Sequence, residues 1–99
     1  MKVLFSDRAN ADVKKIYTFL LANSTEERAW SGIAEIFKHI QQVFSFEIIP
    51  KVPDLEFEDR SPRHYKILLR PYKITWIEVE QTARILRVFD TRQDPERNL

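Results

Sequence analysis

A short apolar run followed by a helical pattern opens the chain. Residues 2–6, KVLFS, form a β-type run that includes one β-branched residue. Beyond it, four apolar residues recur at intervals of four, three and four positions: Ala9, Val13, Ile16 and Leu20. These intervals place the four side chains on one face of an α-helix, and Ser6 or Asp7 can cap its N-terminus. The pattern therefore predicts a short strand that leads into an amphipathic helix.

A second and longer helical pattern runs from about residue 25 to about residue 45. Its apolar stripe consists of Ala29, Ile33, Ile36, Ile40, Val43 and Phe44. Ser24, with Glu27 three residues later, matches the capping box found where many helices begin. Because only a few residues separate the two stripes, we expect the helices to form an antiparallel hairpin.

The pattern changes in residues 44–62, FSFEIIPKVPDLEFEDRSP. Three prolines in this segment break any helix. The acidic residues Glu56, Glu58 and Asp59 are predicted to be exposed, because a run of like charges is usually solvated. We expect a connecting loop here, with room for one short strand.

Three β-type runs complete the chain: RHYKILL (63–69), YKITWIEV (72–79) and ARILRVFD (83–90). The short connections between them make consecutive strands antiparallel neighbours. The order β-α-α-β-β-β predicts an α+β fold, in which the helical hairpin packs on one face of a mostly antiparallel sheet of three to four strands. At 99 residues and without a repeat or a linker, residues 1–99 are expected to form a single domain.

Charge and composition narrow the function classes. The hydrophobic fraction of 43% supports a packed core and excludes a disordered chain. A charged fraction of 31% gives a formal net charge of only +1, which argues against a generic nucleic-acid binder but leaves room for a local basic patch.

The chain contains no cysteine, which excludes disulfide bonds and thiolate metal sites and fits a reducing cytoplasm. The two histidines, His39 and His64, stand alone and give no metal-ligand spacing. We expect neither a metal nor a cofactor. The apolar run at the N-terminus is too short for a signal peptide, and no segment has the length of a membrane span.

Three stretches, FSDRANADVKKIYTFL, RPYKITW and ILRVFDTRQDP, resemble the RelE/ParE superfamily, the toxins of bacterial type II toxin–antitoxin systems. In that superfamily a small residue and an acid, here Ala9 and Asp12, open the first helix. A strand of the PYxIxY type follows the hairpin, here at residues 71–76, and the last strand runs into an arginine-containing tail, here at residues 87–95. The resemblance implies the fold predicted above and an antitoxin as partner.

RelE-type relatives are ribosome-dependent ribonucleases that cleave mRNA, and such cleavage needs a base, an acid and cations. By this resemblance the weak catalytic candidates are His64, Lys66, Arg84, Arg87 and Arg92. Asp90 stands where many relatives carry histidine, and the tail TRQDPERNL contains neither tyrosine nor histidine. Tyr65 and Tyr72 could serve as acids, although strand tyrosines more often pack across strands.

ParE-type relatives bind DNA gyrase and trap it on cleaved DNA, which requires a contact surface rather than an aligned acid and base. Candidate partner-binding residues are Arg63, Arg70, Arg84, Arg87 and Arg92. Arg84 and Arg87 lie three residues apart on the last predicted strand, which puts them on opposite faces of a regular strand. At least one of the two is therefore expected to be available to a partner.

The resemblance to the RelE/ParE superfamily implies three alternative functions. The favoured one is a ParE-like gyrase inhibitor that a cognate antitoxin neutralises within a toxin–antitoxin hetero-oligomer. The first alternative is a RelE-like endoribonuclease that acts on mRNA in the ribosome, and the second is a repurposed family member without toxicity. In either toxin we expect an antitoxin segment to cover the groove of the helical hairpin or to add a strand to the sheet edge.

Overall fold

The computed structural model describes residues 1–93. The elements are β1 (Lys2–Phe5), α1 (Asp7–Asn23), α2 (Glu26–Phe44), β2 (Val52–Pro53), a single 3₁₀ turn (Leu55–Phe57), β3 (Tyr65–Leu69), β4 (Tyr72–Val79) and β5 (Thr82–Asp90). Neither of the two described helices is long and apolar enough to cross a membrane.

The strands form one five-stranded sheet in the order β1-β5-β4-β3-β2. β1 runs parallel to β5, and every other neighbouring pair is antiparallel. The predicted α+β fold with a mostly antiparallel sheet is confirmed. The sheet is one strand wider than the predicted four because Val52 and Pro53, in the proline-rich loop, pair with Lys66 and Tyr65 at the edge.

Each helix begins at a side-chain cap. The Oγ of Ser6 accepts a hydrogen bond from the Ala9 N–H (3.0 Å) and caps α1. The cap of α2 is Thr25, whose hydroxyl oxygen accepts from the Arg28 N–H (3.2 Å). The predicted capping box at Ser24 is wrong, because the Ser24 hydroxyl instead donates to the Leu20 carbonyl oxygen (2.8 Å) at the end of α1.

Both helices pack on one face of the sheet and bury the core there. Of the residues in the two predicted helical stripes, all but Leu20 and Val43 are buried: Ala9, Val13, Ile16, Ala29, Ile33, Ile36, Ile40 and Phe44. The strand residues Ile74, Ile85 and Val88 are buried with them. Leu20 is only partly buried against them. Phe44 at the end of α2 meets Trp76 of β4 edge to face, with ring centroids 4.8 Å apart. The apolar periodicity of the sequence thus identified the core correctly.

The register between β4 and β5 shifts by one residue, so that Leu86 has no direct partner. On one side of this bulge Arg84 lies opposite Ile77, and on the other Arg87 lies opposite Thr75. Direct partners point to the same face of a sheet, and Ile77 and Thr75 are two residues apart on one strand. Arg84 and Arg87 therefore share a face. The prediction that they face opposite sides is wrong because the bulge adds one residue between them.

Candidate functional site

Residues 54–64 lie over the sheet face that bears Lys73, Thr75 and Ile77. This face points away from the helices, and we name it the loop face. Two features hold the loop there. β2 pairs with the beginning of β3, and the N–H of Asp54 donates to the carbonyl oxygen of His64 (2.9 Å). The loop thereby brings its 3₁₀ turn against the middle of β4.

A buried ion-pair cluster joins this loop to β4. The Nζ of Lys73 lies 3.0 Å from Oδ1 of Asp54 and 3.0 Å from Oε1 of Glu56. The hydroxyl of Thr75 donates to the other Asp54 oxygen (2.7 Å). Asp54, Lys73 and Thr75 are fully buried. The prediction that Glu56 is exposed is wrong, because its pairing with Lys73 draws it half under the surface, whereas the next two acidic residues are exposed as predicted.

Beside this cluster a cleft of about 480 Å³ opens between the loop, β5 and the beginning of α1. Its walls consist of Ser6, Asp7, Arg8, Phe57, Arg60, His64, Thr75, Leu86 and Arg87. The fold thus brings together two of the sequence-predicted residues, His64 and Arg87, with the further cations Arg8 and Arg60. The ring of His64 lies 5.4 Å from the ring of Phe57, and its Nδ1 donates to the carbonyl oxygen of Pro62 (2.9 Å).

Arg87 is held in place by Asp12 of α1. Its Nε and Nη2 donate to the two carboxylate oxygens of Asp12, at 2.8 and 3.1 Å. One of these oxygens also accepts from the backbone N–H of Val88 (2.9 Å). The guanidinium lies 4.4 Å from the centre of the Phe89 ring. Arg87 therefore reaches the cleft as a fixed group, with most of its charge offset by a buried carboxylate.

Arg84, Arg63 and Lys66 also lie on or near the loop face but do not line the cleft. Arg84 is exposed and lies next to Leu4 of the edge strand β1. Arg63 is exposed two residues before β3. Lys66 is half-buried on β3, opposite Thr75.

Arg70 and Arg92 lie at the other end of the sheet, where β3 turns into β4 and β5 ends. Arg92 donates through Nε and Nη2 to the two oxygens of Asp90, at 3.0 and 2.8 Å. This hydrogen-bonded pair lowers the pKa of Asp90 and raises that of Arg92. Arg70 is exposed and lines a different hollow, next to Tyr72. The five predicted partner-binding arginines thus divide into two groups rather than forming one surface.

The two tyrosines considered as acids point away from the cleft. Tyr65 lies opposite Trp76, with ring centroids 5.0 Å apart, and Tyr72 packs against the same helix-side core. Burial raises the pKa of Tyr72. Both side chains therefore have the packing role that strand tyrosines usually have.

Sequence patterns missed Arg8, Phe57 and Thr75 as residues of the cleft. Arg8 follows a helix cap and Phe57 sits in a segment predicted to be an exposed loop, so neither position carries a functional signal of its own. Residues 94–99, which include the end of the RVFDTRQDP stretch, lie outside the described residues. Within residues 1–93 no group of three or more His, Cys, Asp or Glu side chains could hold a metal ion.

Comparisons with known proteins give a family and a structural likeness. The family model described as "ParE toxin of type II toxin-antitoxin system, parDE" matches residues 3–95. A solved chain described as "Chromosomal ParDE TA system from P. aeruginosa" superposes with a TM-score of 0.73 and 17% sequence identity, covering 91% of this chain and 95% of that one. At this identity the likeness shows the fold alone. No curated protein sequence matches the chain significantly.

Proposed function

Because the chain belongs to the ParE toxin family of type II toxin–antitoxin systems, we propose that it stops growth by binding DNA gyrase and that a cognate antitoxin neutralises it. The observation that carries the proposal is the family match over residues 3–95. Gyrase lies in the cytoplasm, and we propose that location for the toxin as well. Residues 1–99 act in this proposal as one toxin domain.

The contents of the cleft support binding rather than RNA cleavage as the main activity. A ribonuclease needs a base and an acid on the two sides of the scissile phosphate. Tyr65 and Tyr72 lie on the helix side, and Asp90, where relatives carry histidine, is already engaged by Arg92. Of the proposed acid–base groups only His64 lines the cleft.

For the gyrase contact we propose the surface around Arg84. Arg84 is exposed, it forms no ion pair within the described part of the chain, and it stands beside the 44% exposed Leu4 on the parallel edge strand. Arginine is one of the residue types enriched at binding hot spots. Arg63 belongs to the same group of exposed cations. Arg70 and Arg92 lie at the far end of the sheet and are not part of this surface.

For the antitoxin we propose the outer groove of the helical hairpin. A hollow of about 400 Å³ runs between α1 and α2, and its apolar lining includes Val13, Tyr17, Ile33 and Phe37. Trp30 borders it, 58% exposed, with its ring 4.8 Å from that of Tyr17. Large apolar side chains left at the surface of a groove are typical of a site for an amphipathic segment. The edge strand β2, where Val52 is 47% exposed, is the second place where an antitoxin segment could add.

One experiment separates the proposed targets. The purified toxin is added, with and without its antitoxin, to a gyrase supercoiling reaction and to a translating extract. We expect supercoiling to stop first and the antitoxin to restore it. Unaffected supercoiling at toxin concentrations that stop growth contradicts the proposal.

The cleft keeps the endoribonuclease as the second candidate, because it places His64 beside Arg8, Arg60 and Arg87. Codon-dependent mRNA cleavage in the extract, abolished by His64→Ala, favours this alternative over gyrase binding. Expression that leaves growth unchanged favours the third possibility, a repurposed member of the family.

A further inference from the structure

Exposed apolar side chains collect where the chain leaves α2 and enters the edge of the sheet. They are Phe46, Ile48, Val52 and Leu68, and we name them the edge patch. We propose that the edge patch binds a second copy of this chain, in a two-fold symmetric contact that places Ile48 of each copy in an apolar hollow of the other. The inference goes beyond the proposed function and depends on neither gyrase nor the antitoxin.

The exposed apolar surface is the first support. Ile48 is 87% exposed, more than any other large hydrophobic side chain of residues 1–93. Phe46 stands two residues before it and is exposed as well. Single apolar side chains are ordinary on a protein surface, whereas a cluster of them usually marks an interaction site. We therefore expect a partner to cover the edge patch.

The patch contains a hollow as well as a protruding side chain. The hollow has a volume of about 270 Å³ and is lined by Val43, Pro50, Val52, Lys66, Ile67 and Leu68. Small-ligand pockets are usually larger, roughly 300–1,000 Å³, so this hollow suits one large apolar side chain. Ile48 lies two residues before Pro50 but is too exposed to fill the hollow of its own copy.

The protruding side chain and the hollow lie on the same surface, because both belong to the segment around Pro50. A two-fold axis at this surface brings each Ile48 to the hollow of the other copy. Such a contact uses the same patch on both copies and is complete with two of them. We therefore expect a dimer rather than an open chain of copies.

Charges on the two sides of Ile49 fit the same axis. Glu47 is exposed and forms no ion pair within the described part of the chain. Lys51 is also exposed, with its Nζ 3.3 Å from Oε1 of Glu78. A two-fold axis near Ile49 makes the two copies of residues 46–52 run in opposite directions, so that Glu47 of each copy faces Lys51 of the other. Opposite charges at the rim of a contact favour one orientation of the partners.

The composition of the segment decides against other occupants. Residues 45–66 carry four basic and five acidic side chains, a net charge of −1, which gives no attraction to anionic lipid or nucleic acid. An added antitoxin strand is disfavoured as well, because Pro50 and Pro53 have no N–H to donate at this edge. Side-chain packing against a second copy needs neither a net charge nor edge donors.

The test is sedimentation-velocity ultracentrifugation of the purified toxin without antitoxin. A patch of this size is small for a stable interface, so we expect a monomer at about 1 µM and a growing fraction of dimer toward about 200 µM. Stability measured at the low concentration is then that of the monomer. Ile48→Ser should weaken self-association at least tenfold. The control is Leu21→Ser, which changes an exposed side chain at the end of α1 and should have less than a twofold effect.

Charge reversal tests the axis itself. Glu47→Lys and Lys51→Glu each place like charges across the axis, twice in every dimer, and should weaken self-association at least threefold. An equimolar mixture of the two variants should associate about as well as the parent, because every contact across the axis again joins opposite charges. The mixture decides the matter, since Lys51→Glu alone also loses the pair with Glu78.

Each outcome bears on the inference. A monomer at every concentration overturns it, as does an equal loss in Ile48→Ser and Leu21→Ser. A mixture that associates no better than either charge variant alone also overturns it, because the copies are then not related by this axis. If Ile48→Ser weakens antitoxin binding but leaves self-association unchanged, the antitoxin occupies the patch and the inference is wrong.

Gyrase supercoiling measured on the same preparations keeps the two proposals apart. Toxin that inhibits gyrase but stays monomeric refutes the inference and leaves the proposed function standing. Toxin that forms the dimer but leaves gyrase active supports the inference and refutes the proposed function.

Discussion

Lys73 and Asp54 form an ion pair in which both side chains are fully buried, with Nζ and Oδ1 3.0 Å apart. Two charges buried together require close pairing and further hydrogen bonds to offset the loss of hydration. Here Glu56 supplies a second oxygen to Lys73, and Thr75 donates to Asp54. The pair fastens residues 54–64 to the middle strand of the sheet, and the wall of the cleft depends on it.

Lys73→Met should lower the free energy of unfolding by about 3–5 kcal/mol, because it leaves the Asp54 carboxylate buried without its cation. Asp54→Asn combined with Lys73→Met should cost less than the sum of the two single substitutions, since the double variant leaves no buried charge in this pair. Urea unfolding followed by circular dichroism measures all three values. Strictly additive losses would show that the pair is not coupled.

The sequence could predict the helices and strands but not this cluster. Ile33, Ile36 and Ile40 repeat with the period of a helix, so their burial follows from spacing alone. Nothing in the spacing of Asp54 and Glu56 shows that the first is buried and the second half-buried, because their partner is Lys73, nearly twenty residues later in β4. A run of charged residues in a proline-rich segment is usually exposed. Asp54 and Glu56 depart from this expectation because Lys73, distant in the sequence, pairs with both carboxylates.

Ile36→Ala should lower the free energy of unfolding by about 2–5 kcal/mol, because Ile36 is 3% exposed and the substitution leaves a cavity between α2 and the sheet. Ile48→Ala removes the same atoms from a side chain that is 87% exposed and should change stability by no more than about 0.5 kcal/mol. Equal losses in the two variants would contradict the described core.

Arg84→Ala should weaken gyrase inhibition at least fivefold and leave the fold intact. Arg84 is exposed, and its loss leaves no buried partner uncompensated. Arg87→Ala is a poorer test, because it strips Asp12 of its cation and should also lower stability. The concentration for half-inhibition of supercoiling gives the comparison, with Arg28→Ala, an exposed arginine on α2, as the control of equal charge. Unchanged inhibition by Arg84→Ala would remove Arg84 from the contact.

The positions of these arginines show a second limit of sequence analysis. Alternation along a strand predicts opposite faces for residues three apart, as it did for Arg84 and Arg87. One unpaired residue, Leu86, reverses that result. A bulge depends on how two strands fit together; here the Ser6 hydroxyl also donates to the Leu86 carbonyl oxygen (3.0 Å). No local residue pattern reports such a contact across 80 positions.

Trp30→Ser should weaken antitoxin binding at least tenfold, because exposed tryptophans at apolar grooves are frequent hot spots. Isothermal titration of the toxin with its antitoxin measures the affinity. Phe46→Ser provides the control, since Phe46 is equally exposed at 59% but does not line the groove. If Phe46→Ser weakens binding and Trp30→Ser does not, the antitoxin contacts the region around β2 instead.

The Asp90–Arg92 pair should make stability depend on pH in the acid range. The hydrogen bonds from Arg92 lower the pKa of Asp90 below its ordinary value of 3.8, so the folded chain releases this proton more readily than the unfolded chain does. The stabilisation is therefore fully present well above pH 3.8 and is lost as pH falls through the lower, folded-state pKa.

The free energy of unfolding of the parent minus that of Asp90→Asn should be constant between pH 5 and 7, on the order of 1–3 kcal/mol for a charged hydrogen-bonded group, and should shrink below about pH 4. Asp59→Asn, at an exposed acid, should show little difference at any pH. A difference for Asp90→Asn that stays constant from pH 7 to pH 2 would mean that the carboxylate gains nothing from Arg92.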